Sequence, residues 1–308
     1  MLRRGIICHF AIAACLTSVS PARAQNVGDA AKQTQQVAGD LEKARTIVAE
    51  YLGSHADSGE AHFLLGYILF KQQKSSESLA AYTEGAKHAT PGSEDLKVVA
   101  LNYVLLGDYA SADHWLTRSV EFDPRDTQAW YYLGRTKYNE NRFEEAVRAF
   151  EECLKLDPRN VKAEDNLGLS YQALGRTDDA IATYRNAMAW QEHALEKNVG
   201  PVLNMGILQL EQNKISDAVA LLLQAEVIAP NDSRTHEQLA KAYSRLEDFE
   251  KAQAELEKAV QLDPNRSSLR FMLGQIYRKR GLMDKAKIEL DKGTALKQSE
   301  RKNAPGVE

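Results

Sequence analysis

The sequence lacks the short motifs that mark most enzyme active sites and metal sites. It has no glycine-rich phosphate loop, no His-Glu-x-x-His, no Gly-x-Ser-x-Gly and no pair of cysteines at metal-ligand spacing. The histidines after residue 24 are scattered, and none pairs with a cysteine or lies four residues from another histidine. These absences predict a protein that is not an enzyme and that uses no metal ion and no cofactor.

An excess of positive charge is also missing. The chain has 39 lysines and arginines against 43 aspartates and glutamates, which gives a net charge of −4. Proteins that bind nucleic acid without sequence preference carry a basic surface. The composition therefore argues against nucleic acid as a partner.

Cysteine is scarce, and two of the three cysteines fall in an N-terminal segment typical of export. Arg3 and Arg4 precede an apolar stretch over residues 6–19, and Ala22-Arg23-Ala24 forms an Ala-x-Ala cleavage site before Gln25. We therefore predict that residues 1–24 are a signal peptide and that the mature protein is exported, periplasmic or secreted. Cleavage removes three arginines and no acidic residue, so the net charge changes from −4 to −7.

An alternative interpretation of the same segment is a lipoprotein box. Ile12-Ala13-Ala14-Cys15 resembles the bacterial box, and lipidation of Cys15 would tether the protein to a membrane. If cleavage follows Ala24 instead, Cys153 is the only thiol of the mature chain and no internal disulfide forms. We expect Cys153 to be a buried packing residue.

What the sequence does contain is one pattern at a fixed spacing. A large apolar residue followed by glycine or alanine recurs every 34 residues, apart from one interval of 38. The pairs are Leu65-Gly66, Val99-Ala100, Leu133-Gly134, Leu167-Gly168, Met205-Gly206, Leu239-Ala240 and Leu273-Gly274. The small residue is position 8 when the repeats are counted from Gly59, Ser93, Thr127, Val161, Val199, Ser233 and Ser267.

Other positions of the repeat support two packed helices. Position 24 is a large apolar or aromatic residue, such as Phe150, and position 20 is alanine in every repeat except the first, which has Ser78. Glycine inside a helix costs about 1 kcal/mol relative to alanine. The glycines at position 8 therefore need a compensating gain, which we expect to be close approach of two helix backbones.

Turn-forming residues separate the helices. Position 15 is glycine or asparagine in five of the seven repeats, and both tolerate the left-handed conformation that ends a helix. Proline stops the second helix in four repeats, at Pro124, Pro158, Pro230 and Pro264. The sequence therefore predicts repeated helix–turn–helix units.

This pattern resembles the tetratricopeptide repeat (TPR), a helix–turn–helix unit of 34 residues. The resemblance implies an all-α fold, a right-handed α-solenoid of stacked helix–turn–helix repeats. The implied repeats are residues 59–92, 93–126, 127–160, 161–198, 199–232, 233–266 and 267–298. Residues 25–58 are expected to be a degenerate N-terminal capping repeat, and residues 299–308 a disordered tail.

The fourth repeat departs from the pattern. Glu192 stands where proline is expected, and the next repeat begins four residues late. Four residues are about one helical turn. We therefore expect the second helix to be lengthened through Trp190 and to end near residues 198–201. The insertion is either a tolerated addition or a contact centred on Trp190.

The resemblance also implies a binding surface, because the first helices of such repeats line a concave groove that contacts an extended peptide. The third repeat places Tyr131, Arg135 and Tyr138 at the implied contact positions, and tyrosine and arginine are enriched in binding hot spots. Position 6 of the next three repeats carries side-chain amides, which both donate and accept hydrogen bonds and can hold a peptide backbone. These amides are Asn166, Asn204 and Gln238. The last two repeats add a basic strip of Arg234, Lys241, Arg245, Arg278 and Lys279.

Each of these groups also has an ordinary structural interpretation, as a solvated helix face or as packing between repeats. The family's clamp for chaperone C-termini is incomplete, since Asp165, Leu169 and Gln238 occupy three of its positions. We therefore expect no binding of chaperone tails. The sequence favours a non-enzymatic adaptor that binds an extended peptide segment of a protein partner in the groove. The alternative is a structural spacer or assembly subunit of a cell-envelope complex that uses its ends, its convex face and Trp190.

Overall fold

The computed structural model describes the backbone of residues 27–302 and the side chains of residues 39–301. The predicted signal peptide, Cys15 and residues 303–308 lie outside the described residues. Within residues 27–302 the chain forms 15 helices and no strand, which confirms the all-α fold of stacked helical repeats. None of the helices in this range has the length and apolar character needed to cross a bilayer.

The helices follow one another in pairs after a single N-terminal helix. In chain order they are α1 (Val27–Ser54), α2 (Gly59–Lys71), α3 (Ser75–Gly85), α4 (Ser93–Leu106), α5 (Tyr109–Phe122), α6 (Thr127–Asn139), α7 (Phe143–Leu156), α8 (Val161–Ala173), α9 (Thr177–Trp190), α10 (Gly200–Glu211), α11 (Ile215–Ile228), α12 (Ser233–Arg245), α13 (Phe249–Leu262), α14 (Ser267–Lys279) and α15 (Met283–Lys302). The even-numbered helices, from α2 to α14, are the first helices of the seven repeats.

The described residues divide into two compact units, with the boundary between Glu152 and Cys153. In the first unit, a core cluster joins Leu116 of α5 to Leu133 of α6. In the second unit, one cluster contains Leu222 and Leu239, and another contains Leu256 and Leu269. Within each unit, these clusters therefore bury apolar side chains between helices that are neighbours in the sequence.

The glycines at position 8 make room for the large side chain at position 24 of the same repeat. A Cβ atom on Gly134 would lie 2.6 Å from the ring of Phe150, and one on Gly168 would lie 2.5 Å from the ring of Tyr184. Both rings are fully buried. The nearest atoms are therefore those of a side chain, and at Gly66 and Gly274 the second helix backbone also comes close, with the Ser78 and Ala286 carbonyl oxygens 3.2 and 3.3 Å from an added Cβ atom.

Every helix pair turns through a residue with positive φ at position 15. In five repeats that residue is Gly107, Asn141, Gly175, Asn213 or Gly281. The other two repeats have Gln73 and Glu247, with φ of 61° and 59°, although neither residue type favours this conformation. Packing of the two helices therefore imposes the turn even where the residue does not prefer it.

The expected lengthening of the second helix in the fourth repeat is wrong. Helix α9 ends at Trp190 and has 14 residues, as α11 has, so the extra residues lie in the loop 191–199. Gln191 holds this loop, because its Nε2 donates to the Asn198 carbonyl (2.8 Å) and its Oε1 accepts from the Asn198 N–H (2.7 Å). Gln191 is buried, so it pairs with the loop backbone instead of continuing the helix.

Both ends of the described residues are helical. Residues 27–54 form one helix, and Val48 in that helix is buried in a cluster with Ile68 of α2. At the other end, residues 299–302 belong to α15 and not to a tail. Ser267 Oγ donates to Glu300 Oε2 at 3.2 Å, which ties the last turns of α15 to α14.

Candidate functional site

The predicted site residues all lie on first helices, but they are divided between the two units. Tyr131, Arg135 and Tyr138 are on α6 in the first unit. The others are in the second unit, and they are Asn166 on α8, Asn204 on α10, Arg234, Gln238, Lys241 and Arg245 on α12, and Arg278 and Lys279 on α14. Each unit is described in turn.

On α6, a cation lies over an aromatic ring. The Arg135 guanidinium carbon lies 5.8 Å from the centroid of the Tyr131 ring, and Arg135 is exposed. Tyr131 is half-buried, with its ring 6.1 Å from that of Phe150. Tyr138 is also half-buried and meets Phe143 edge to face at 5.3 Å. The two tyrosines are therefore fixed by packing within their repeat, while Arg135 reaches solvent.

Helix α2 carries a second cation–aromatic group, which sequence reasoning missed. Lys71 Nζ lies 5.2 Å from the Tyr67 ring centroid and 5.9 Å from that of Phe70. Tyr67, Phe70 and Lys71 occupy positions 9, 12 and 13 of the first repeat, which are implied contact positions. The aromatic residues at positions 9 and 12 were the signal that would have identified this group.

Ion pairs from the neighbouring helices hold both ends of α6. At its N-terminus, Asp126 accepts hydrogen bonds from the Ala129 N–H and from Lys97 Nζ, the latter at 2.8 Å. Near its C-terminus, Lys137 Nζ lies 2.6 Å from Asp113 Oδ1. Lys97 and Lys137 are both buried, so removing either partner would leave a buried charge unpaired. These pairs fix the orientation of the face that displays Tyr131 and Arg135.

The guanidinium of Arg142 also binds Asp113, the partner of Lys137 near the C-terminus of α6. Arg142 donates to both carboxylate oxygens of Glu145, at 2.7 and 2.6 Å, and to Asp113 at 2.6 Å. Arg142 lowers the pKa of Glu145 to about 2, mainly through these hydrogen bonds. The bidentate geometry ties the turn after α6 to α5 and α7.

In the second unit, the amides of the expected row already make hydrogen bonds within the protein. Asn204 Nδ2 donates to Asp165 Oδ1 at 2.9 Å, and both residues are buried. Asn166 Nδ2 donates to the Lys162 carbonyl in its own helix at 2.8 Å. The structure therefore differs from the expected row of amides open to a peptide. The Asn204 amide already donates to the Asp165 carboxylate, and the Asn166 amide already donates to a carbonyl of its own helix.

Asp165 is the buried ionisable group at the centre of this region. Burial raises the pKa of Asp165 to about 6, although the hydrogen bond from Asn204 and the charge of Arg234 lower it. A Cβ atom on Gly200 would lie 2.2 Å from Asp165 Oδ2, so the carboxylate lies against the first residue of α10. Asn198 Oδ1 accepts from the Gly200 N–H at 2.8 Å and fixes the start of that helix.

Three cations of the basic strip lie close together on α12. Lys241 Nζ lies 2.6 Å from Glu237 Oε1, yet the pKa of Lys241 is lowered by burial first and then by Arg234 and Arg245. Arg245 donates from Nη1 to the Leu210 carbonyl at the end of α10. On α14, Arg278 and Lys279 are exposed. Lys279 Nζ lies 6.0 Å from the ring centroid of Phe249.

Cys153, which the sequence predicts to be a packing residue, is fully buried. Burial raises the pKa of its thiol to about 11, with a smaller contribution from Asp157. A thiol with a raised pKa is mostly protonated at neutral pH and is a poor nucleophile.

Comparison with known protein families finds four matches along the chain. All four are tetratricopeptide repeat models, and they match residues 23–94, 127–160, 165–198 and 243–302. Together they cover more than half of the chain, in both units.

Individual proteins match over shorter stretches. The human PEX5-related protein is 29% identical over 121 residues, which are 39% of this chain and 17% of that protein. The cytochrome c-type biogenesis protein CycH of Pseudomonas aeruginosa is 30% identical over 120 residues, which are 38% of this chain and 28% of that protein. The chain therefore matches less than a third of the length of either relative. Yeast Tom70 has a similar fold, with a TM-score of 0.64 at 16% identity over 85% of this chain and 56% of that one.

Proposed function

Because the chain belongs to the tetratricopeptide repeat family, we propose that it is a non-enzymatic adaptor that binds a segment of a partner protein on the first-helix faces of its repeats. The observation that carries the proposal is the exposed guanidinium of Arg135 over the half-buried ring of Tyr131. An aromatic ring beside a cation offers apolar contact, cation–π attraction and charge in one place. Lys71 repeats this arrangement over Tyr67.

The positive charges of the second unit favour an acidic segment of the partner protein. Burial lowers the pKa of Lys241 most, and the nearby charges of Arg234 and Arg245 lower it further, as like charges do. A carboxylate brought to this group would relieve that repulsion. In the first unit, apolar or aromatic anchors of a partner contact Tyr131 and Tyr138. In the second unit, acidic side chains of a partner contact Arg234 and Arg245.

The experiment is affinity capture from a membrane-plus-periplasm extract, with the chain from Gln25 onward as bait. One variant carries Tyr131→Ala and Arg135→Ala, and another carries Arg234→Glu and Arg245→Glu. The matched control is Arg185→Glu, which changes an exposed arginine on the second helix α9. Captured proteins are identified by mass spectrometry, and their affinity and association rate are then measured with purified components.

We expect the Arg185→Glu control to capture the same partner as the wild type. The variant with Tyr131→Ala and Arg135→Ala should lose that partner. For the Arg234 and Arg245 reversal, the association rate should fall and its dependence on salt should weaken, because those charges attract the partner at long range. Equal affinity of all variants for a genuine partner would sink the site assignment.

The second candidate function is an assembly subunit of a cell-envelope complex. Exposed apolar residues outside the first-helix faces favour it, namely Leu195 in the loop after α9 and Ile288 on α15. In this case Leu195→Asp should abolish the assembly while capture through the first-helix faces persists. Native mass spectrometry of the assembled complex separates the two functions.

Export is part of the proposal and rests on the sequence of residues 1–24. Intact-mass measurement of the protein from its native cells tests it directly. A mass that begins at Gln25 supports cleavage by a signal peptidase. A mass that begins at a lipidated Cys15 supports the membrane-tethered form, and an uncleaved chain overturns both.

A further inference from the structure

The loop 191–199 presents an apolar side chain that no other part of its own unit covers. Leu195 is fully exposed, more so than any other large apolar side chain of the described residues. It lies in the loop that accommodates the four added residues of the fourth repeat. Single exposed apolar residues are common on protein surfaces. Leu195 by itself therefore implies nothing, and the argument depends on what lies beside it.

Hydrogen bonds at its base and within it hold this loop in one conformation. Gln191 makes two hydrogen bonds with the backbone of Asn198, at 2.8 and 2.7 Å. Inside the loop, the Ala194 N–H donates to the Gln191 carbonyl at 3.1 Å, directly before Leu195. A side chain on an ordered loop loses less conformational freedom when it binds. The loop therefore presents Leu195 as a fixed apolar projection.

An open cavity lies beside the loop, between the C-terminal ends of α9 and α11. Its volume is about 310 Å³, and its apolar wall includes Met188, Val202 and Ile228. An apolar cavity of about 150 Å³ is already large enough to hold benzene. The cavity therefore has room for the side chain of a leucine.

Exposed apolar surface continues from the cavity along α11. Leu223 and Val227 are exposed and lie four residues apart, so they share one face of the helix. The residues that follow them, Gln224 and Ile228, line the cavity. The exposed face therefore adjoins the cavity. Apolar side chains grouped in this way on a surface are typical of a protein contact.

A projection and a cavity on the same loop favour a second copy of this chain as the occupant. In a contact with two-fold symmetry, one patch meets the same patch of the other copy, so every contact is made twice. Leu195 of each copy can then enter the cavity of the other. A different protein would have to supply two unlike features, one to fill the cavity and one to cover Leu195.

The charges beside the cavity are complementary in such a contact. Glu192 and Lys197 both line the cavity and are exposed, and the side chain of neither takes part in an ion pair among the described residues. Glu192 lies three residues before Leu195, and Lys197 lies two residues after it. Two loops related by a two-fold axis near Leu195 run antiparallel. Glu192 of one copy therefore lies opposite Lys197 of the other, which helps to fix the orientation of the two copies.

We propose that loop 191–199 and the cavity beside it form a two-fold symmetric contact between two copies of this chain. Leu195 of each copy fills the cavity of the other, and Glu192 pairs with Lys197 across the axis. The contact makes the second candidate function specific, because it names another copy of the chain as the partner in assembly. It does not depend on the adaptor function, since the predicted peptide-contact residues do not line the cavity.

Sedimentation equilibrium of the full-length chain tests the contact by measuring the dissociation constant of the dimer. Leu195→Asp should raise this constant at least about a hundredfold, because one leucine is lost from each of two equivalent contacts. Leu246→Asp is the matched control. Leu246 is also exposed in the second unit, but it follows α12 and does not line the cavity. The control should leave the dissociation constant unchanged.

Charge reversal tests the orientation of the two copies. Glu192→Lys should weaken the dimer by about tenfold, because two attractions between exposed charges become two repulsions. Adding Lys197→Glu to the same chain should restore the dimer. Both residues are exposed, so neither change disturbs the core. The restoration requires that the two residues face each other across copies of the chain.

A wild-type chain that stays monomeric at every concentration would overturn the proposal, and so would a dimer that Leu195→Asp leaves intact. A monomeric chain that binds a different protein through Leu195 would show another occupant and would also overturn it. The variant with Tyr131→Ala and Arg135→Ala should remain dimeric. Failure of the dimer and failure of the adaptor function are therefore distinguishable.

Discussion

Asn204 on α10 donates a hydrogen bond of 2.9 Å from Nδ2 to Oδ1 of Asp165 on α8. The contact joins the first helices of two successive repeats, and both side chains are buried. Asp165 lies against Gly200 and has no lysine or arginine within ion-pair distance among the described ion pairs. A carboxylate held in this way is stabilised by an amide rather than by a paired charge, which is why burial raises its pKa to about 6.

The first prediction concerns this carboxylate. Because the pKa of Asp165 in the folded chain, about 6, lies above the ordinary aspartate value, the folded state binds the proton more tightly. Stability from this group is therefore lost as the pH rises from about 4 to about 6. Asp165→Asn should remove that loss and increase the free energy of unfolding at pH 7.5 by about 1 to 3 kcal/mol.

Urea unfolding at pH 4.5 and 7.5 measures this effect. Asp178→Asn is the control, since Asp178 is exposed in the first turn of α9 and should change the result little. If Asp165→Asn is less stable than the wild type at pH 7.5, the carboxylate is contributing favourable contacts that outweigh its burial.

The second prediction concerns the glycines at position 8. A Cβ atom on Gly168 would lie 2.5 Å from the Tyr184 ring and 2.8 Å from Thr183 Oγ1, and both of those residues are buried. Gly168→Ala should therefore destabilise the fold by about 1 to 3 kcal/mol, because the core has no room to relax. Gly39→Ala in α1 meets nothing within 4 Å and should be neutral or stabilising. Thermal unfolding of Gly168→Ala and Gly39→Ala measures the difference. Equal melting temperatures for the two variants would contradict the prediction.

The third prediction concerns the turn inside each repeat. Glu247 and Gln73 have positive φ, which is unfavourable for residues with a side chain. Replacing either with glycine should stabilise the fold by about 0.5 to 1 kcal/mol, after allowance for the greater freedom of glycine in the unfolded chain. Gly281→Ala, at the equivalent position of the last repeat, should destabilise it. Urea unfolding measures the change in stability of each variant. Changes of the same sign for the substitutions to glycine and for Gly281→Ala would show that positive φ does not determine their effect.

The fold was accessible from the sequence because each repeat carries its own local information. The small residue at position 8, the large residue at position 24 and the turn residue at position 15 act over distances of one helix pair. The family models confirm the assignment that these positions predict. Gln73 and Glu247 show the limit of such inference, since nothing in their chemistry indicates a left-handed turn.

Only part of the candidate site could be predicted from the sequence. The positions of Tyr131 and Arg135 on a first helix follow from the repeat, and their role in binding a partner stays a prediction. The hydrogen bonds of Asn166 and Asn204 do not follow from the repeat, because they depend on which neighbouring group the amide meets. The expected helix extension beyond Trp190 was wrong because Gln191 forms hydrogen bonds with the Asn198 backbone, seven residues away, and the residues between them form a loop.

By itself the sequence determined the repeat, its period and which residues lie on the first helices, since these follow from local propensity and from spacing along one chain. The tertiary structure decided which polar groups are free and which are already paired. The pairs between Asp165 and Asn204, and between His236 and Glu255, join residues 39 and 19 positions apart, and their energies depend on burial and on the other charges nearby. Those quantities exist only once the helices have packed, because burial and the surrounding charges set the free energy of an ionisable group.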